Sequence, residues 1–272
     1  VVTVHFVTRP PAPELRGAVL RYEGFAQRTD VPVRMRELPC TFVPIIIDLD
    51  AGWHISDGTA APVHLRSFVA GVTDRPVTVE HRGSARCLQI DLSPLAARRL
   101  FGLPLRELAN ACVAVDDVFG SAATEFVERI AGAQNWEDRF TMVDAAISAR
   151  LAGTEPVDPG VAWALHTLAG SGGTTPIGWI AGELGWSHRR LISRFRDAVG
   201  MAPKRVARIQ RFERLSALAG RPAMDWAAAA AECGYADQAH LAREVRELAG
   251  LTPTDWRAGL VNFVQDAAVT QA

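Results

Sequence analysis

Cysteine is scarce in this 272-residue chain: Cys40, Cys87, Cys112 and Cys233 lie far apart, with no Cys-x-x-Cys pair and no histidine at finger spacing. That excludes a disulfide framework and a zinc-finger site, and the thiols are expected to be buried. Long apolar runs are missing as well. The best candidate, Val43 to Ile47, is far shorter than the roughly 18 residues a bilayer span needs, so no membrane partner is expected. Val1 to Pro13 lacks the basic start and apolar stretch of a secretory leader, and a cytoplasmic location is expected. No nucleophile elbow, glycine-rich phosphate loop or paired-carboxylate motif is visible, so no enzyme, catalytic residue, metal or cofactor is expected. What is present is apolar material: 49% of residues are hydrophobic and 22% charged, enough for at least one packed core and for two domains.

A large charge of one sign is also absent. The formal net charge is −1, which on its face argues against nucleic acid. Position changes that reading. Residues 1–157 carry −3 and residues 158–260 carry +3, and within residues 186–214 nine basic side chains face two acidic ones, a local +7.

The fold class read from the pattern is α+β. Short apolar or alternating runs at Phe42 to Leu49, Leu65 to Val72, Val77 to His81 and Arg86 to Leu92 are broken at Asp57-Gly58, Asp74-Arg75-Pro76 and Arg82-Gly83. Their spacing predicts one antiparallel β unit over residues 10–92, a sandwich or small barrel. At Ser93-Pro94 the pattern turns helical, with Ser a capping residue and Pro suited to the first helical position. Helices are expected at Leu95 to Phe101, Leu105 to Ala109, Ala122 to Ala131 (Ser121 as its cap) and Trp136 to Leu151. Gly153 to Gly160 holds two prolines and two glycines, the best linker. The division is therefore 1–152, a β domain with a helical extension; 153–160, a linker; 161–260, a helical domain; and 261–272, a tail.

The helical domain contains an internal repeat. Gly185-Trp186 matches Gly234-Tyr235, and one extra residue later Leu191 matches Leu241, Phe195 matches Val245, Gly200 matches Gly250, Pro203 matches Pro253 and Val206 matches Trp256. Each copy reads as a short helix with small residues, a glycine turn with a capping residue (Ser187, Asp237), and a second helix. This is helix-turn-helix geometry, whose second helix enters the major groove. On the first such helix His188, Arg189, Arg190, Ser193, Arg194 and Arg196 lie on the solvent side, and Arg can fork onto a guanine edge or a phosphate. On the second, Gln238, His240 and Arg243 occupy the matching face. An arginine run by itself is most often a solvated helix face; two copies in register are far more specific.

These residues resemble the DNA-binding domain of the AraC/XylS family of bacterial transcriptional regulators. The resemblance covers about residues 160–258 and is carried by Gly200 to Phe212 and by Gly234 to Leu241 leading to Gly250 to Arg257. It implies two motifs reading successive major-groove segments, with base-reading positions on Arg189, Ile192 and Ser193 and on Gln238, Ala239, His240, Ala242 and Arg243. The expected interface as a whole adds Ser187, His188, Arg190, Arg194, Arg196, Lys204, Arg205, Asp237 and Arg246. Val245 stands where the family often has an aromatic residue, and Ile192 where it has a larger polar one. The N-terminal part resembles, more loosely, the family's cupin-like sensor half, through Glu37-Leu38-Pro39, Gly71-Val72 and Gly83 to Gly102. Trp53, His54, Arg66, Phe68 and His81 are the candidate effector-binding residues, with core packing as the competing reading. The partners implied are double-stranded promoter DNA, RNA polymerase, a small-molecule effector and a second copy of the chain. The alternative is a cupin-type metal-dependent enzyme with a DNA-binding appendage, for which His54, His64 and His81 are single and widely spaced.

Overall fold

Strict alternation places successive side chains of a strand on opposite faces, and in the larger of two sheets both faces are covered. A computed structural model describes residues 3–221 and 224–259. The strands are β1 (Thr3–Arg9), β2 (Val19–Arg28), β3 (Val33–Glu37), β4 (Val43–Asp48), β5 (Trp53–Ser56), β6 (Val63–Leu65), β7 (Phe68–Ala70), β8 (Val77–His81), β9 (Ser84–Leu92) and β10 (Cys112–Ala114). They form two antiparallel sheets, ordered β1-β2-β9-β4-β7-β10 and β3-β8-β5-β6. Phe25, Ile46, Trp53, Ile55, Phe68, Val79 and Cys87 fill the space between the sheets. The intervening residues Tyr22, Ile45, Ile47, Leu88 and Ile90 face the other way. Helices cover that side, which is why β4 and β9 read as nearly continuous apolar runs.

The helices are α1 (Pro94–Phe101), α2 (Val115–Phe119), α3 (Ala122–Gly132), α4 (Trp136–Ala152), α5 (Pro159–Gly170), α6 (Ile177–Glu183), α7 (His188–Val199), α8 (Pro203–Ala219), α9 (Trp226–Glu232) and α10 (Gln238–Ala249). Ser93 caps α1 by accepting the Ala96 N–H. Phe140, Val143 and Ile147 of α4 pack on the outer face of the larger sheet, and Tyr22 donates to Asp144 at 2.8 Å.

Four sequence expectations are corrected. The β unit begins at Thr3 rather than near residue 10 and recruits β10 from beyond α1, because β10 finds its partner in β7. The segment from Leu105 is a 3-10 turn of three residues, Leu105–Glu107. Ser121 makes no side-chain cap on α3. Cys87 and Cys233 are buried, whereas Cys40 and Cys112 are half-buried; burial still pushes the Cys112 thiol up to about 11. The expected tail, 261–272, lies outside the described residues.

The β region and the C-terminal helices share an apolar core running from Leu15 to Ile209. Polar contacts fix their register. The Thr41 N–H donates to Glu213 Oε1 of α8 at 2.7 Å, and Thr41 Oγ1 donates to the same carboxylate. Arg205 pairs with Asp74 at 3.1 Å, and Arg36 donates to the Ala249 carbonyl at the end of α10 at 2.9 Å.

Burial raises the Glu213 carboxyl above its ordinary range, and the Thr41 donors oppose that rise without cancelling it. A carboxyl raised on folding binds more protons folded than unfolded, so its ionisation costs stability. The cost is absent below the unfolded value of about 4.3 and complete above the raised folded one. Glu213→Gln keeps an acceptor for both Thr41 donors and cannot ionise. Thermal unfolding followed from about pH 4.5 to pH 8 is expected to show the variant gaining on wild type as pH rises, starting from near equality at the acid end. A difference that stays constant across that range contradicts the assignment.

Candidate nucleic-acid interface

The first motif is built from α6, a glycine turn and α7. Ile180 and Ala181 are buried on α6, and the small Ala181 lets the helices cross closely. Gly185 adopts φ 60°, and the Trp186 N–H returns to the Ala181 carbonyl at 2.9 Å. Ser187 then caps α7 by accepting the Arg190 N–H at 3.2 Å. Leu191, Phe195, Ala198 and Val199 form the buried stripe of α7. Ser187, His188, Arg189, Arg190, Ile192, Ser193, Arg194 and Arg196 are exposed. The Arg190 guanidinium stacks 4.8 Å over the Trp186 ring, so it is held at the motif's edge. Arg189, Ile192, Ser193 and Arg196 fall on one stripe of α7 and line a concavity of about 740 Å³, together with Asp197 and, from the N-terminal region, Arg106.

The second motif repeats the plan. Asp225 caps α9, Gly234 turns at φ 76°, the Tyr235 N–H returns to the Ala230 carbonyl at 2.9 Å, and Asp237 accepts the His240 N–H at 2.6 Å. Leu241, Val245, Leu248 and Ala249 are buried. Gln238, Ala239, Arg243 and Arg246 are exposed and Ala242 is half-buried. Gln238, Ala242 and Arg246 line a smaller concavity of about 240 Å³ with Trp226 and Thr252. His240 is turned back into its own motif: its Nδ1 accepts the Ala236 N–H at 3.2 Å, and its ring meets Tyr235 edge-on at 5.4 Å. Where Val245 leaves less bulk, Phe212 and Trp256 pack 5.2 Å apart within the same core.

α8 joins the motifs. Its Arg208 donates to Glu244 of α10 at 2.6 Å and also pairs with Glu247, and Arg211 lies 3.8 Å from Glu244. Lys204 is exposed at the start of α8, whereas its neighbour Arg205 is engaged by Asp74. Arg208, Arg211 and Arg106 were not among the residues the sequence pointed to; the buried acid that binds the first two lies 36 residues away from Arg208, and no local pattern signals it.

The candidate effector residues divide. Trp53, Phe68 and His81 come together between the sheets, with the Trp53 and His81 rings 5.5 Å apart and His81 Nε2 2.8 Å from Gln27 Oε1. Burial lowers the His81 pKa. His54 lies on the opposite face of β5, its ring 4.8 Å from that of His64. Arg66 is exposed and donates to the Asp50 carbonyl at 3.2 Å. Among the described residues, no three His, Cys, Asp or Glu side chains gather as a metal site, and no helix is long and apolar enough to cross a membrane.

Residues 180–259, which run from within α6 to beyond α10, match the family described as "Helix-turn-helix domain". These residues are a helix-turn-helix domain. A domain of this kind is a DNA-binding module. Residues 7–114 match a second family, described as "Domain of unknown function (DUF6597)". Among solved structures the chain is similar to ToxT from Vibrio cholerae, at 10% identity over 88% of this chain and 98% of that one, with a TM-score of 0.48. Apo ToxT K231A from the same organism gives 10% identity over 95% and 97%, also at 0.48. The AraC-like transcriptional activator CuxR gives 16% identity over 79% and 86%, at 0.28. Among curated proteins no sequence matches the chain.

The glycines that seat the motifs differ in what they tolerate. Gly173, at φ 77°, lies so close to α8 that an added Cβ would fall 2.1 Å from the Ala207 carbonyl oxygen. Its own carbonyl accepts from Arg211 at 2.9 Å. Gly182, on α6, has open space where a Cβ would stand. Gly173→Ala is expected to cost about 3 kcal/mol, roughly 6–10 °C in a chain of this size, while Gly182→Ala stabilises by about 0.5–1 kcal/mol. Calorimetry of the two variants checks this, and similar midpoints for both would contradict it.

Proposed function

We propose that this chain is an AraC-type, sequence-specific transcriptional regulator: α7 and α10 enter successive major grooves on one face of a promoter, and the N-terminal region controls that engagement with RNA polymerase as the downstream partner. In this reading residues 1–152 are the control region, 153–160 the linker and 161–260 the DNA-reading domain, acting in the cytoplasm. The observation that carries the reading is the pair of side-chain-capped recognition helices tied to one ion-paired α8, each presenting exposed polar residues along a concave face. Arg189, Ser193, Gln238 and Arg243 are the donors suited to base edges, and Ile192, 37% exposed, suits a thymine methyl. Lys204, Arg194 and Arg196 supply phosphate contacts. Ser187 and Asp237 act by capping, and His240 by bracing its motif.

Control has two candidate routes. The filled interior of the β region, packed by Phe25, Trp53, Ile55 and Phe68, favours assembly with a second copy over enclosure of an effector. A small polar effector would have two buried interior atoms without hydrogen-bond partners to engage, His81 Nδ1 and Trp53 Nε1. Sedimentation equilibrium separates the routes: a stable dimer supports the first, and a monomer at every concentration removes it.

Fluorescence anisotropy with promoter DNA at several salt concentrations tests the function. Affinity should fall steeply as salt rises; affinity without a salt slope would sink the reading. Arg189→Ala is expected to relax base choice at one position, costing about 1–3 kcal/mol on the preferred sequence, whereas Arg196→Ala weakens all sequences alike and lowers the salt slope by about 1. Equal losses on every sequence for both variants would refute the division of roles.

A further inference from the structure

The groove-facing stripe of α7 does not end within the helix-turn-helix domain. The concavity that Arg189, Ile192, Ser193 and Arg196 line is completed, toward the C-terminal end of α7, by Arg106 from the 3-10 turn Leu105–Glu107. The placement is firm. Leu105 is buried in the core that holds Leu191, Phe195 and Val199, and its carbonyl oxygen lies 3.2 Å from where a Cβ of Gly200 would stand. Gly200, at φ 98°, therefore admits the turn against the end of α7. Arg106 keeps half of its side chain exposed and pairs through Nη1 with Asp197. Its Nη2 is 4.0 Å from Glu107, a separation that leaves donors available.

Asp197 is the one acidic residue of α7. In the binding mode proposed above, a carboxylate at that position would face the phosphate strand flanking an occupied major groove and repel it. An arginine fork can satisfy a carboxylate and a phosphate oxygen together. We propose that Arg106, outside the helix-turn-helix domain, is a DNA-binding residue that neutralises Asp197 and holds a backbone phosphate at the C-terminal end of the α7 stripe. This rests on the function proposed above and extends the interface to the N-terminal region, so that the turn between α1 and β10 takes part in binding directly.

The test uses the full chain and a fluorescein-labelled duplex of mixed sequence of about 30 base pairs, long enough for two successive major grooves, because a phosphate contact needs no operator. Anisotropy titrations across a salt series are run on wild type, Arg106→Gln, Arg106→Lys and Asp197→Asn. Arg106→Gln is expected to bind on the order of tenfold more weakly, with a salt slope lower by about 1. Arg106→Lys keeps most of the slope. Asp197→Asn loses the same ion pair and yet binds as well as wild type or better. The inference is overturned if Arg106→Gln keeps the wild-type slope or binds more tightly, or if Asp197→Asn reproduces its loss, which would make the ion pair a structural clasp. A wild-type chain with no salt-dependent binding refutes the DNA-binding reading itself, an outcome distinct from wild-type binding that Arg106→Gln leaves unchanged.

Discussion

Glu244 is a carboxylate with 8% of its surface exposed, and the relation between the two recognition helices turns on how its charge is satisfied. An uncompensated buried charge costs several kcal/mol, so α10 must lie where Arg208 and Arg211 of α8 can reach it. Burial works against the Arg208 charge, and Glu244 with Glu247 more than offsets that, leaving its pKa raised. Net stabilisation from such a pair is small compared with apolar packing, but its geometry is directional. Phe212, Leu215, Tyr235 and Trp256 supply the burial that holds the second motif to α8; the ion pair selects the register in which they pack. α8 is also the helix that Thr41 and Asp74 grip from the β region. A displacement there would act on both motifs through one rigid element.

The helix-turn-helix pair was legible because its determinants are local and occur twice. Gly185 and Gly234 both take positive φ, as do Gly200 and Gly250, and Leu191, Leu241, Phe195 and Val245 are all fully buried. Each rule of turn, cap and helical period operates within a few residues. The β region was less legible for the opposite reason. β1, β2 and β3 are partly exposed and carry mixed polar residues, and β10 is three residues long, defined only by β7 more than 40 positions earlier in the chain. Pairing partners at that distance leave no periodic trace.

The candidate site shows the same division. Trp53 and His54 are adjacent on one strand, and a period of two forbids both from facing the interior; that much follows from the sequence alone. Which of them turned inward depended on the pairing of β5 with β8, where Ile55 sits opposite Val79. Arg205 and His240 have the side chains expected of a DNA interface, yet Asp74 and the Ala236 N–H claim them. Residue type and spacing therefore set the candidates, and long-range contacts decide which of them remain available.

Charge follows faces of the fold more closely than segments of the sequence. Seven of the nine basic side chains behind the local +7 of residues 186–214 fall into two populations. Arg205, Arg208 and Arg211 point toward acids of the protein itself and hold α8 to the β region and to α10. Arg189, Arg194, Arg196 and Lys204 are exposed, with Arg189 and Arg196 lining the concave face of α7. Only the second population can exchange condensed counterions for protein contacts, the process that makes phosphate binding salt-dependent. A basic count taken from the sequence thus overstates the electrostatic term from this segment and omits a contribution from outside it, since Arg106 stands on the same face from a region whose net charge is negative.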